Sequence, residues 1–193
     1  ISKYRYVVDV DIKGFFDNVD HGKLLKQLWT LGIRDKQLLC VLSKMLKAPI
    51  QGEGVPTKGV PQGGILSPLL SNVVLNELDW WISSQWGTFP TQTNYTHDLS
   101  RYQNLRRTSR MKEIFIVRYA DDFKLFCKCR SDAVKIFAAA TMWLKERLGL
   151  DISPEKSKIV NLKKGYSDFL GFKLKLRPKS GKWVLKSHMA DKA

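Results

Sequence analysis

The sequence predicts an α+β domain: a mostly antiparallel sheet with helices packed on one face. Three observations lead there. The segment Tyr4-Arg-Tyr-Val-Val-Asp-Val-Asp-Ile alternates β-branched and aromatic residues with polar ones, the period of a strand. Apolar residues recur at helical spacing after His21, after Ser67 and after Ser131. Two further β-like runs, Ile114–Val117 and Phe123–Lys128, meet at an acidic turn, and short strands finish the chain. A sheet of this kind leaves its other face free for a ligand.

In the opening strand the period of two puts Asp9 and Asp11 on one face. Leu24, Leu25, Leu28 and Leu31, then Leu38, Leu39, Leu42 and Leu46, read as two amphipathic core helices separated near Gly32. Glycine and proline crowd the chain from Pro49 to Gly64, which predicts a tight hairpin or loop. Ser67-Pro68 supplies an N-cap and a proline at the first helical position, and Leu70, Val73, Val74, Glu77, Leu78 and Trp81 continue the helix for about four to five turns. Residues Gly87 to Leu105 are polar and without clear periodicity, so a long loop is expected. Tyr119-Ala-Asp-Asp then forms the tip of a hairpin. Ser131 caps a helix carrying Val134, Phe137, Ala138, Leu144 and Leu148 that ends near Gly149. Strands are expected around Ile159, from Phe169 to Leu176 and from Trp183 to Leu185, the last two joined by a Pro178-Lys-Ser-Gly turn.

With 193 residues, 44% of them hydrophobic, the chain is long enough for one domain with a core. Lys and Arg number 33 against 18 Asp and Glu, a formal charge of +15, which points to a polyanionic partner. The excess is uneven: from Lys156 to Ala193 eleven basic residues face two acidic ones, and Arg101, Arg106, Arg107, Arg110, Lys112 and Arg118 form a second basic stretch. The competing reading is a lysine-rich surface that serves only solubility. Cys40, Cys127 and Cys129 are neither even in number nor spaced as zinc ligands, which fits a reducing cytoplasm. The longest apolar run, Ile136 to Leu144, falls well short of the roughly 20 residues of a membrane span. A start without Met, almost inside a strand, suggests a piece of a longer protein.

Four acidic residues stand out in so basic a chain: Asp9 and Asp11 on the first strand, Asp121 and Asp122 at the hairpin tip, each in apolar surroundings. No Lys or Arg sits at ion-pair spacing on their own strand face, so such carboxylates need a cation from elsewhere. An oxygen-only set suits Mg²⁺ better than zinc, since His21, His97 and His188 are not clustered. Two-metal phosphoryl transfer asks for carboxylates that bridge ions about 3.5 to 4 Å apart. The plain alternative is that Asp121-Asp122 is a polar turn.

Longer motifs decide between them. Val8-Asp-Val-Asp-Ile-Lys-Gly-Phe-Phe-Asp-Asn-Val-Asp-His, Gly59-Val-Pro-Gln-Gly-Gly-Ile-Leu-Ser-Pro-Leu-Leu-Ser-Asn and Val117-Arg-Tyr-Ala-Asp-Asp-Phe resemble the first palm motif, the template and nucleotide-binding motif and the catalytic hairpin of group II intron-encoded reverse transcriptases. Leu150-Asp-Ile-Ser-Pro-Glu-Lys-Ser-Lys and Asp168-Phe-Leu-Gly-Phe follow in the same family order. The resemblance covers essentially the whole chain.

It implies a polymerase palm over residues 1–177, with part of the fingers at 18–66, and a C-terminal hairpin at 178–193 leading towards a thumb that is absent. The fingers segment ahead of the first palm motif is also missing, which puts activity of this piece alone in question. The resemblance also implies metal-binding carboxylates at Asp11, Asp121 and Asp122, a metal-facing backbone carbonyl at Ile12, and two Mg²⁺ ions, with Mn²⁺ able to substitute. Asp9, one pleat away, is then structural or supports the metal-binding carboxylates from behind. Phe16 matches the aromatic gate that stacks beneath the sugar and excludes a 2′-hydroxyl, while Phe15 points the other way. Gln62 and Gly63 would meet the incoming deoxynucleoside triphosphate, with Gly64 beside them, and Tyr119 and Ala120 the primer end. Lys156 matches a lysine proposed to protonate the leaving pyrophosphate. Arg106, Arg107 and Arg110 are nominated for nucleic-acid binding, and for Arg118 a phosphate contact and a salt bridge to a palm carboxylate remain equal alternatives.

The function implied is RNA-directed DNA polymerisation by a bacterial, cytoplasmic group II intron protein, acting also as maturase in splicing and retrohoming. Its partners would be an RNA template, a DNA primer and the intron RNA, with a homodimer as one arrangement and no membrane. A retron-like or diversity-generating enzyme, or an RNA-binding maturase piece without polymerase activity of its own, are the alternatives.

Overall fold

The computed structural model describes residues 3–50, 52, 54–61 and 63–189. The first strand, β1 (Tyr6–Val10), is central to a four-stranded antiparallel sheet in the order β2-β3-β1-β4, with β2 at Ile114–Tyr119, β3 at Asp122–Cys127 and β4 at Lys158–Asn161. A short helix, α1 (Phe15–Asn18), follows β1. Val8 and Val10 of β1 and Phe123 and Leu125 of β3 point to one face, where they are buried against helices α2 (His21–Thr30), α4 (Ser67–Ser84) and α6 (Arg130–Trp143). Leu75, Leu78 and Ile82 supply the α4 stripe, and Trp81 stacks on Trp143 at 5.4 Å. The α+β expectation with helices on one face holds.

The other face is not free. A second sheet, β5 (Ser167–Phe169), β6 (Phe172–Lys179) and β7 (Lys182–Met189), folds over it, and Leu176 with Leu162 buries Val7 and Phe126. A cleft remains at the end that carries Asp11 and Asp122. Period-two alternation in a sheet can be read locally, but which strands cover it depends on residues far along the chain.

Several local expectations shift. The second part of the loop expected from Gly87 to Leu105 instead belongs to helix α5 (Asp98–Thr108), whose Tyr102 stacks on Trp86 at 5.8 Å and meets Phe115 edge-on at 5.7 Å. So polar a helix draws its stability from tertiary packing, not from an apolar stripe. Helix α3 (Lys36–Leu46) buries Leu46 and packs the part-buried Leu39 and Leu42 against the core, while Leu38 and Met45 are about half exposed, so it meets the core along a narrow stripe. Asp20 and Asp35 cap α2 and α3, accepting from the backbone N–H of Lys23 and of Gln37 and Leu38.

Ser67 lies inside the first turn of α4 and its hydroxyl donates to the Pro61 carbonyl. Helix α6 starts at Arg130, ahead of Ser131, and turns Ala133, Ile136 and Ala140 inward, leaving Val134 exposed. It ends in a π-helical turn, Leu144–Leu148, at Gly149 as expected. Pro178 belongs to β6, opposite Trp183, and the turn is Ser180-Gly181 with positive φ at both residues (48° and 72°), the type I′ form that joins strands by two residues. Ile50 and Gly54 exchange backbone hydrogen bonds at 2.8 and 3.0 Å, the tight hairpin expected after Pro49. Among the described residues no helix is long and apolar enough to cross a membrane.

Candidate active site

Asp9 is paired across the sheet with Lys124. The Lys124 ammonium lies 2.8 Å from Asp9 Oδ1, the Ser167 hydroxyl donates to the same oxygen at 2.7 Å, and both charged side chains are buried. The cation that Asp9 needs is therefore a lysine on the adjacent strand, which its own strand face does not reveal. Asp9 is structural.

The same register, continued one step past Val10↔Phe123, sets Asp11 against Asp122 at the open end of the sheet. Asp11 is held by its backbone: its carbonyl accepts from the Ser153 N–H at 2.8 Å, and its own N–H donates to Ser157 Oγ at 3.1 Å. The carboxylate itself is left part-exposed, with Lys156 Nζ 3.9 Å from Oδ2. Ile12 is buried and bridges to Ile152; the neighbouring residues make the bridge hydrogen bonds, so the Ile12 carbonyl turns away from that partner. A cleft of about 220 Å³ opens here, lined by Asp9, Asp11, Asp122, Lys124, Lys156 and Lys158 among others. Burial holds the Asp122 carboxyl above the usual range; Asp9, Asp121 and Asp11 add to this and Lys124 opposes it. The opening strand and the hairpin tip thus bring their carboxylates within electrostatic reach of one another. Among the described residues no three such side chains are gathered closely enough to hold an ion by themselves.

The tip turns on Ala120, whose φ of 53° is costly for a residue with a Cβ. Arg118 anchors it. Its Nη1 donates to the Ala120 carbonyl at 2.8 Å and to Asn72 Oδ1 at 2.9 Å, while Nε and Nη2 fork onto Asp79 of α4. Of the two roles open for Arg118, the salt bridge is the one formed.

A second cleft, about 520 Å³, is lined by Phe16, Pro68, Asn72, Arg118, Tyr119 and Ala120 together with Asp79 and Ile116. Phe16 reaches it while Phe15, 2% exposed, points into the core, so the two adjacent rings take the opposite directions expected of them. The chain before α4 packs tightly on the Phe16 turn: Val60 N–H donates to the Phe16 carbonyl at 2.7 Å, and a Cβ on Gly59 would come within 3.1 Å of that oxygen. Gly63 has a φ of 78° with open space beside it. Gln62 lies outside the described residues.

The three arginines nominated for nucleic acid are elsewhere. Arg106 forks onto Glu113, with Nε–Oε1 at 2.9 Å and Nη2–Oε2 at 2.8 Å, and Tyr4 and Lys128 donate to the same carboxylate. Its guanidinium is thus committed within the fold. Arg107 and Arg110 are exposed. Glu113 precedes β2 and Tyr119 ends it, a separation of about 20 Å at strand rise.

A protein-family model described as reverse transcriptase (RNA-dependent DNA polymerase) matches residues 1–174. The chain belongs to the reverse transcriptase family. Among curated relatives of this reverse transcriptase domain, protein YkfC of Escherichia coli is 31% identical over 183 residues, covering 90% of the chain and 48% of YkfC. The group II intron-encoded protein LtrA of Lactococcus lactis is 30% identical over 213 residues, covering 90% of the chain and 35% of LtrA. A putative COX1/OXI3 intron 2 protein of Saccharomyces cerevisiae is 28% identical over 208 residues, covering 90% of the chain and 24% of that protein. The chain spans about half or less of the length of these relatives. Apo telomerase of Candida tropicalis, truncated from its C-terminal domain, superposes with a TM-score of 0.59 at 14% identity, over 95% of this chain and 35% of that one. The fold is a polymerase palm.

Reasoning from sequence missed Lys124, Asp79, Asn72, Ser153 and Ser157. Lys124 alone carried a signal, as the single charge inside the apolar run Phe123-Lys-Leu-Phe-Cys.

Proposed function

We propose that the chain is the catalytic palm of a group II intron-encoded, RNA-templated DNA polymerase. In this reaction a primer 3′-hydroxyl attacks the α-phosphate of a deoxynucleoside triphosphate and pyrophosphate leaves. The observation that carries the reading is the half-buried Asp122, next in register opposite Asp11 and within electrostatic reach of Asp9, Asp11 and Asp121, while the one buried lysine nearby among the described residues is spent on Asp9.

Carboxylates gathered at one end of the sheet, with the exposed Lys156 ammonium no closer than 3.9 Å to Asp11, favour a divalent cation. Asp11, Asp121, Asp122 and the Ile12 carbonyl offer oxygen only, the donor chemistry of Mg²⁺ or Mn²⁺. Mg²⁺ keeps waters and borrows ligands from substrate phosphates, which suits side chains not already closed around an ion. Such ions would supply an activated hydroxyl and charge neutralisation on the departing pyrophosphate. Lys156, 3.9 Å from Asp11, would give a proton to that leaving group. Phe16 would lie under the sugar, Gln62 and Gly63 against the nucleotide, and Tyr119 and Ala120 against the primer end.

The test is primer extension by the full-length parent on an RNA template with Mg²⁺. Asp121→Asn and Asp122→Asn are expected to abolish it; full activity in both would overturn the site.

A maturase role rests on the +15 charge, on the intron-encoded relatives, and on Arg107 and Arg110 lying exposed away from the cleft. Charge reversal at those two arginines should weaken intron RNA binding while the aspartate variants still splice. Equal loss of splicing in both sets of variants would tie the roles together. The same relatives favour this origin over a retron-like or diversity-generating enzyme.

A further inference from the structure

His21 opens α2, and its ring Nε2 lies 2.7 Å from the Gly59 carbonyl, 38 residues along the chain. A carbonyl oxygen can only accept, so Nε2 carries the ring proton and donates it. The residue is 4% exposed, and Nδ1 is buried with no hydrogen-bond partner among the described residues. An orphaned buried nitrogen costs stability. A residue placed here for packing alone would be apolar, so the imidazole is accounted for by the single bond it makes to Gly59.

That bond belongs to a set that ties Gly59–Pro61 to the turn between Phe16 and His21. Gly59 N–H donates to the Val19 carbonyl and Val60 N–H to the Phe16 carbonyl, both at 2.7 Å. Asp20 and Lys58 form an antiparallel bridge, and Lys58 Nζ donates to Asn18 Oδ1 at 2.6 Å in an exposed contact. From the other side, the Ser67 hydroxyl of α4 donates to the Pro61 carbonyl. Gly59 takes a φ of 95°, and a Cβ there would meet the carbonyl oxygens of Phe16 at 3.1 Å and Asp17 at 3.2 Å, so the two segments approach as closely as a glycine permits. The buried side chain that the Phe16–His21 turn commits to this approach is His21.

We infer that His21 is a positioning residue: through the Gly59 carbonyl it sets the spacing between Phe16 and Gly59–Pro61, and with it the fit of the incoming nucleotide's sugar. It touches no substrate itself. A misplacement of about 1 Å in a group that orients substrate is costly even when it originates outside the reacting atoms. The inference rests on the proposed placement of the nucleotide against Phe16.

The experiment uses the full-length parent with His21→Leu, which fills a similar volume without a donor, and with His21→Gln, whose Nε2 stands as many bonds from Cβ as the ring Nε2. Primer extension gives KM and kcat for a deoxynucleotide and its ribonucleotide counterpart, and hydrogen exchange reads the Gly59 and Val60 amides. His21→Leu should raise the deoxynucleotide KM about 10-fold with kcat little changed, narrow the preference over the ribonucleotide and speed exchange at both amides. His21→Gln should restore most of each. If His21→Leu does not fold, His21→Asn, whose amide stops short of Gly59, replaces it. Unchanged exchange or unchanged KM in the variant without the bond would overturn the proposal, as would equal defects with and without a donor, the result expected of a ring that only fills space. Phe16→Val separates the two readings: unaltered sugar discrimination there would remove the gate, while amide exchange and the deoxynucleotide KM still decide whether His21 positions the loop.

Discussion

Arg118 and Asp79 meet as a fork, Nε to Oδ1 at 2.9 Å and Nη2 to Oδ2 at 2.5 Å, tying the strand that leads into the acidic turn to the middle of α4. Because the same guanidinium holds the Ala120 carbonyl, one side chain links the strained turn to α4.

Removing either partner therefore reaches both. Arg118 is largely buried, so Arg118→Ala should lower the unfolding free energy by about 2 kcal/mol, and Asp79→Ala by a similar amount. Urea denaturation of the singles and the double should give a coupling of about 1 kcal/mol or more. Strict additivity would show that the fork contributes nothing.

Lys124 and Asp9 form a pair more deeply buried still. Lys124→Met leaves a buried carboxylate with only Ser167 to satisfy it and should destabilise by about 3 to 5 kcal/mol. Adding Asp9→Leu should recover much of that loss, since an apolar pair of similar volume needs no desolvation. A double variant no better than Lys124→Met would indicate that Asp9 is held by something other than this lysine.

Glu113 supplies a pH dependence. Burial alone would raise its carboxyl, but hydrogen bonds from Arg106, Lys128 and Tyr4 overcome that and bring it down from 4.5 to about 2. A depressed acid stabilises the fold above its unfolded value and loses that contribution as pH falls through the folded one. Wild type should thus exceed Glu113→Gln by about 3 kcal/mol at neutral pH, the gap closing between pH 4.5 and about 2. A gap that does not change across that window would exclude the ionised cluster as its source.

Phe16 offers a readout of substrate choice. In the full-length parent, Phe16→Val should raise the use of ribonucleotides relative to deoxynucleotides while extension with deoxynucleotides persists. Unaltered discrimination would mean that the ring lining the cleft beside Tyr119 is not the sugar gate.

Much of this site is written locally. The strand with Asp9 and Asp11 on one face, the hairpin that ends in Asp121-Asp122 and the opposed directions of Phe15 and Phe16 all follow from the period of two, from turn chemistry and from adjacent motif residues. Helix α5 was not legible, because few of its residues face inward and its partners, Trp86 and Phe115, lie outside it. Arg106 looked like a free cation for the same reason: its acceptor is seven residues away, beyond a break in the helix.

The sequence alone determined which residue types lie where along each element, the family they spell out and the large positive charge, since these depend on short spacings and simple counts. Tertiary structure decided which charges meet. Asp9 and Lys124 are 115 residues apart, and Ser167 reaches Asp9 across 158. Only strand register and the folding of the second sheet over the first bring them together, leaving Asp11 and Asp122 at the open end with no buried lysine of their own.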